Sequence, residues 1–139
     1  MESFRVQLRS SELTDLNEKF PASAGSGDIG KRAIEIVKLH FQRVHTGCSF
    51  VSPRAGADMA LVVGPNCTQY EVKGTAAKGL AWQQLKVSSQ ASHDLLTSGG
   101  AAVLRVTEVY SDEPVVYELR CGVDFRLEPE ARWCVKPIR

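Results

Sequence analysis

Apolar and polar positions alternate along Phe4-Arg5-Val6-Gln7-Leu8, the period of a strand with one buried face. A short helix is expected over 12–20, capped by Ser10 or Ser11 and ended by Pro21. The small residues of 21–27 read as a flexible loop. Asp28 is then placed as the N-cap of a longer helix. Its apolar stripe is Ile29, Ala33, Ile34, Ile36, Val37 and Phe41, it runs to about Val44, and Gly47 follows its end. Ser49-Phe50-Val51-Ser52 reads as a strand broken by Pro53.

Two runs then flank a break at Gly64-Pro65-Asn66-Cys67. Met59-Ala60-Leu61-Val62-Val63 precedes it and Thr68-Gln69-Tyr70-Glu71-Val72-Lys73 follows, closing on Gly74-Thr75. This is the pattern of a β-hairpin. With Pro65 and Asn66 at the tip, Gly64 faces Cys67 and Asp58 falls opposite Lys73, with Glu71 two residues along the same face. Diagonal neighbours across strands lie roughly 7–8 Å apart, within reach of one shared cation. Proline's φ near −65° bars Pro65 from leading the primed turns of two-residue hairpins, so a longer loop or a bulge is expected. A slip of one residue would carry Asp58 to the other face.

Residues 80–87 alternate like a further strand. Ser88 or Ser89 caps a helix carrying Ala91, Leu95 and Leu96 that stops at Gly99-Gly100. Residues 101–110 read as a buried strand, Ser111-Asp112-Glu113-Pro114 as a turn, and 115–119 as a strand pairing back. The tail from Phe125 onward has no assignable period. The order is helix, three strands, helix, two strands, which predicts an α/β fold with a mixed central β-sheet flanked by helices.

The length of 139 residues suits a single domain, 1–139, with its core at about 28–120. A net charge of +1 argues mildly against broad nonspecific DNA binding and leaves room for a local basic patch. No apolar run approaches the ~20 residues that span a bilayer, and the first residues do not form a secretory signal. Cys48, Cys67, Cys121 and Cys134 contain no C-x-x-C pair. Reduced thiols in a cytoplasmic protein are therefore expected, and no recognisable zinc spacing joins them to His40, His45 or His93.

The candidate chemistry lies in Asp58 and in Glu71-Val72-Lys73. A carboxylate followed by Glu-x-Lys at a strand end can hold a divalent metal and activate water beside it. Taken singly, each residue has a plainer role. Glu-x-Lys is ordinary solvent-facing alternation, Asp58 a turn residue or strand-start cap, and Glu35 the wet side of a helix. Gln90 alone is a first-turn helix residue, and Lys78, Lys86, Arg54 and Arg105 alone are solvated surface. Trp82 is expected to pack on the sheet, with base stacking as the alternative.

Together and in this order the residues resemble the restriction-endonuclease-like PD-(D/E)xK nuclease superfamily, over about Gly30 to Leu119. Gly30-x-x-x-x-Glu35 is similar to the Gly…Glu of its N-terminal helix. Gly56-Ala57-Asp58 stands at the motif Asp, with Ala57 in place of the usual proline. Glu71-Val72-Lys73-Gly74-Thr75 matches the second half, and Ser88-Ser89-Gln90 opens the helix where many members carry Gln or Glu. Within the superfamily the chain looks like the domain of unknown function at the C-terminus of the plant protein NO VEIN, and like archaeal Holliday junction resolvases.

The resemblance implies a restriction-endonuclease-like core and a Mg²⁺- or Mn²⁺-dependent endonuclease that hydrolyses phosphodiester bonds in DNA, in restriction, repair, recombination or phage defence. It implies Asp58, Glu71 and the Val72 carbonyl as metal ligands, and Lys73 as the residue that handles the attacking water or stabilises the transition state. A lysine beside two carboxylates stays protonated unless desolvated, which favours the stabilising role. Glu35 would hold a water on the metal and Gln90 would touch the attacking water or a phosphate. Members often pair as homodimers to cut two strands. The alternative is a catalytically silent module of the same fold that binds nucleic acid or a protein partner.

Overall fold

The computed structural model describes residues 1–23, 26–131, 133 and 135–138. Strand β1 (Glu2–Arg5) and helix α1 (Ser10–Lys19) lead into the long helix α2 (Ser26–Val44). Then come β2 (Ser49–Val51), β3 (Met59–Val63) and β4 (Asn66–Gly74), a 3-10 turn at Trp82–Gln84, helix α3 (Gln90–Thr97), β5 (Ala101–Thr107) and β6 (Val115–Leu119). The expected α/β class is present: one six-stranded mixed sheet, ordered β1-β6-β5-β4-β3-β2, with three helices. Only β4 and β5 run parallel, joined by the segment that carries α3.

All seven residues of β5 are buried, as a central strand covered on both faces requires. On one face, Ala33, Ile36, Val37 and Phe41 of α2 pack on Met59, Tyr70, Val72 and Leu104. On the other, Leu95 and Leu96 of α3 pack on Ala101, Val103 and Leu119. The α2 contact is close at the end of β4, where a Cβ on Gly74 would lie 2.9 Å from the carbonyl oxygen of Ile29.

Several boundaries differ from the sequence reading. Helix α1 begins at Ser10 with Arg9 at its cap, because the Glu12 carboxylate accepts the Arg9 backbone N–H at 2.8 Å. Helix α2 begins at Ser26, so Asp28 sits in the first turn, where its charge complements the helix dipole. Ser89 does cap α3, its hydroxyl accepting the Ser92 N–H at 3.1 Å.

Residues 80–87 form no strand. Both edges of β4 are already taken, by β3 and β5, so an alternating segment after Gly74 has no ladder to join there. The carbonyls of Leu80 and Ala81 instead accept hydrogen bonds from the Arg105 guanidinium, at 2.9 and 3.4 Å, and Ala81 takes φ +49° to start the 3-10 turn. Arg105 also reaches the Gly74 carbonyl at 3.2 Å and is only 2 % exposed, so it is a buried loop anchor and not solvated surface.

A second buried arginine gave no signal in the sequence. Arg32 on α2 donates to the carbonyl of Val109 at 2.8 Å, to Asn17 Oδ1 at 2.9 Å and to the Phe20 carbonyl at 3.0 Å, tying α1 to the β5–β6 connection. Among the described residues Cys48, Cys67 and Cys121 are free thiols; Cys134 lies outside them. No described helix is long and apolar enough to cross a membrane.

Candidate active site

Strand β4 sorts its side chains between the two faces. Tyr70 and Val72 point into the α2 core. Glu71 and Lys73 are in register with Val103 and Arg105, on the face that α3 covers.

The hairpin turn is Gly64-Pro65, with Val63 paired to Asn66 and Met59 to Tyr70. The expected longer loop does not form, because Gly64 leads the turn at φ +57° and leaves Pro65 the second position, where a φ near −65° is compatible. The ladder ends at Met59–Tyr70, and Asp58, at a bend just before it, bonds to β4 on either side of Glu71, through the Tyr70 carbonyl and the Val72 N–H, so it stands at Glu71 and not at Lys73. The hairpin register is displaced by two residues from the expected one, and Asp58 is brought closer to Glu71 than the sequence reading had it.

Strand β3 starts at Met59, so the edge of β4 beyond it has no backbone partner. Asp58 fills that gap: its N–H donates to the Tyr70 carbonyl at 2.9 Å, and its Oδ2 accepts the Val72 N–H at 2.8 Å. Asp58 is thus a strand-start cap, and it remains exposed. A strand residue's N–H and C=O lie on the same edge, so the Val72 carbonyl also faces the Asp58 side.

Gly56 seats the preceding loop on α3. It holds φ +94°, and a Cβ there would fall 2.5 Å from the carbonyl carbon and oxygen of Ala91 and 2.7 Å from the Ser92 nitrogen. Its carbonyl accepts the Ser92 hydroxyl at 3.0 Å. Gly56→Ala therefore meets a left-handed φ and a backbone clash together. The expected loss is about 2–5 kcal/mol, the sum of typical costs for each, read as the shift in urea midpoint.

Glu71 is 5 % exposed. Its Oε1 lies 3.2 Å from Lys73 Nζ, while its Oε2 is buried with no hydrogen-bond partner. Ser92 is the adjacent hydroxyl on α3, but it directs its one proton to the Gly56 carbonyl while accepting from Ser89 at 2.8 Å. Burial pushes the Glu71 carboxyl above its ordinary range and the Asp58 charge adds to this, while Lys73 and, more weakly, the neighbouring Ser92 hydroxyl pull in the opposite direction. Lys73 keeps 30 % of its side chain exposed, in contrast to the buried Glu71.

The structure brings Asp58, Glu71 and Lys73 together, but it does not bring Glu35 or Gln90 to them. Glu35 lies on α2, which packs on the opposite face of the sheet, and it makes no hydrogen bond or ion pair among the described residues. Gln90 is exposed, and its amide donates to Asp94 Oδ1 at 2.8 Å on its own helix. Ser92 is the α3 residue beside Glu71. Neither Ser92 nor the Gly56 close approach could be found from spacing, because both rest on contacts between α3 and segments far from it in the chain, 36 residues for the Ser92–Gly56 bond.

Among the described residues no group of three or more His, Cys, Asp and Glu side chains is arranged to hold a metal. The donor set on offer is two carboxylates and a carbonyl. Oxygen donors of this kind, one of them buried and lacking a partner, fit a hard divalent cation that retains waters. No protein-family model, no curated protein and no solved structure matches the chain.

Proposed function

We propose that this chain is a Mg²⁺- or Mn²⁺-dependent endonuclease with a restriction-endonuclease-like core, hydrolysing phosphodiester bonds in DNA in restriction, repair, recombination or phage defence. The observation that carries the reading is Glu71 Oε2, a buried carboxylate oxygen without a donor. A glutamate kept only for structure would have its lone pairs satisfied, because an unpartnered buried polar group costs about 1–3 kcal/mol. Asp58, bonded to β4 on either side of Glu71, supplies the second carboxylate, and the Val72 carbonyl faces the same edge.

A divalent cation held there would polarise the phosphate and generate hydroxide near neutral pH. Asp58 and Glu71 would fix it, since the Val72 N–H holds one carboxylate in place and Lys73 the other. The partly exposed Lys73 ammonium would contact a phosphate oxygen and offset the negative charge that builds during in-line attack. The nearly neutral net charge favours the second reading, a silent binding module of the same fold.

A labelled panel of duplex, single strand, four-way junction and RNA separates the two. With Mg²⁺ or Mn²⁺ the native chain is expected to cut at least one DNA form, and with EDTA none. No cutting of any form with either metal would leave the binding module.

A further inference from the structure

A slot of about 170 Å³ opens beside the catalytic lysine, on the face of the sheet that carries Glu71. Its floor is the sheet itself, Val103 and Leu119. Its walls include two aromatic rings, Trp82 from the 3-10 turn and Phe125 from the segment after β6, with Leu85 and Leu127 between them. The charged residues that line it, Lys73, Lys86 and Arg126, are all cations. Trp82 is 46 % exposed, so the sheet packing expected for it is only half made and its ring is accessible to a ligand.

An apolar slot with aromatic walls and a cationic rim suits a flat ring carried on an anion. The volume is on the scale of a single nucleobase. Lys86 pairs with Glu130 at 2.7 Å and Arg126 with Glu128 at 2.6 Å, but all four side chains are more than half exposed. Exposed pairs of this kind are worth about 0–1 kcal/mol and exchange readily for a phosphate. Lys73 belongs both to the slot and to the carboxylate site, so a nucleotide with its base in the slot would present its phosphate to Glu71 and Asp58.

We propose that the slot between Trp82 and Phe125 binds an unpaired nucleobase, so that the chain takes single-stranded or locally unpaired nucleic acid in preference to intact duplex. The substrate class rests on the nuclease reading, whereas base binding does not. Bases within a duplex are stacked, and extruding one costs a few kcal/mol, which an already unpaired strand avoids.

The test is fluorescence anisotropy of labelled single-stranded DNA, single-stranded RNA and duplex DNA, with the native chain in EDTA so that no strand is cut. Single strand is expected to bind more tightly than duplex. Trp82→Ala should weaken single-strand binding by about 5- to 150-fold, the range for one base–aromatic stack, and Trp82→Phe should recover most of it. Duplex binding should change little in either variant. Equal single-strand binding by Trp82→Ala and the native chain overturns the proposal, as does the absence of measurable binding to any strand. Single-strand binding lost in Trp82→Ala, together with no cleavage by the native chain in Mg²⁺ or Mn²⁺, would keep the slot and discard the nuclease.

Discussion

Asp58→Asn is expected to lower metal-dependent cleavage by at least about 100-fold while leaving the fold as stable as the native chain. Asp58→Ala should lose cleavage equally and also lose about 1–3 kcal/mol of stability. The two variants separate the observed capping role of this side chain from the proposed metal-binding one. Its Oδ2 accepts the Val72 N–H at 2.8 Å, closing the ladder where β3 begins, and an asparagine carbonyl can take over that hydrogen bond. Alanine cannot, and it strands a donor on a strand residue that is 5 % exposed. The negative charge needed to hold a cation is lost in both. Lys73→Ala should remove cleavage to a similar extent with circular dichroism unchanged, because Lys73 is partly exposed and packs no core. Full cleavage by Asp58→Asn and by Lys73→Ala would sink the active-site assignment.

The second large effect concerns Glu71. Glu71→Gln is expected to fold at least as stably as the native chain above neutral pH, and to lose any stabilisation by Mg²⁺ or Mn²⁺. Burial raises the Glu71 carboxyl above the ordinary glutamate value of 4.5, so over the interval from that value to the raised one the folded chain holds a proton that the unfolded chain has released. Stability from this group is therefore highest at low pH and declines as pH rises through the interval. Glutamine removes that decline, and since Lys73 is partly exposed, water can take over its lost partner.

A divalent cation needs the ionised carboxylate. Its apparent affinity for the native chain should climb with pH across the same interval and then level off. At ten times its Kd the cation would add about 1.4 kcal/mol, a rise of a few degrees in Tm. Thermal melts of native and Glu71→Gln protein with and without Mg²⁺, at two pH values, test both statements. An equal Mg²⁺ shift in the two proteins would remove Glu71 from the ligand set.

The site was legible in the sequence to an unequal degree. Asp58 stands at a bend before β3 and reaches β4 through hydrogen bonds, whereas Glu71 was placed on its face by the two-residue period of strands, and that placement survived a register that moved by two. It would not have survived a move by one. The turn itself was misjudged, because the sequence reading put Pro65 first in a two-residue tip, whereas Gly64 takes that position. Residues 80–87 show why a period alone is insufficient. They alternate as a strand does, yet no edge of β4 is open to receive them, and Arg105 holds the segment through its carbonyls.

Local order along the chain determined the helical stripe of α2, the buried β5, the Ser89 cap, the α/β class and the face shared by Glu71 and Lys73. Each depends on dihedral preference and side-chain period over a few neighbouring residues, which a single sequence displays directly. Only the tertiary structure decided that Ser92 and not Gln90 stands beside Glu71, that Glu35 lies on the helix covering the other face, and that Arg105 is buried. It alone left Glu71 Oε2 without a donor and set Trp82 at the edge of a slot. These follow from contacts between segments far apart in the chain, made when α2 and α3 close over opposite faces of one sheet.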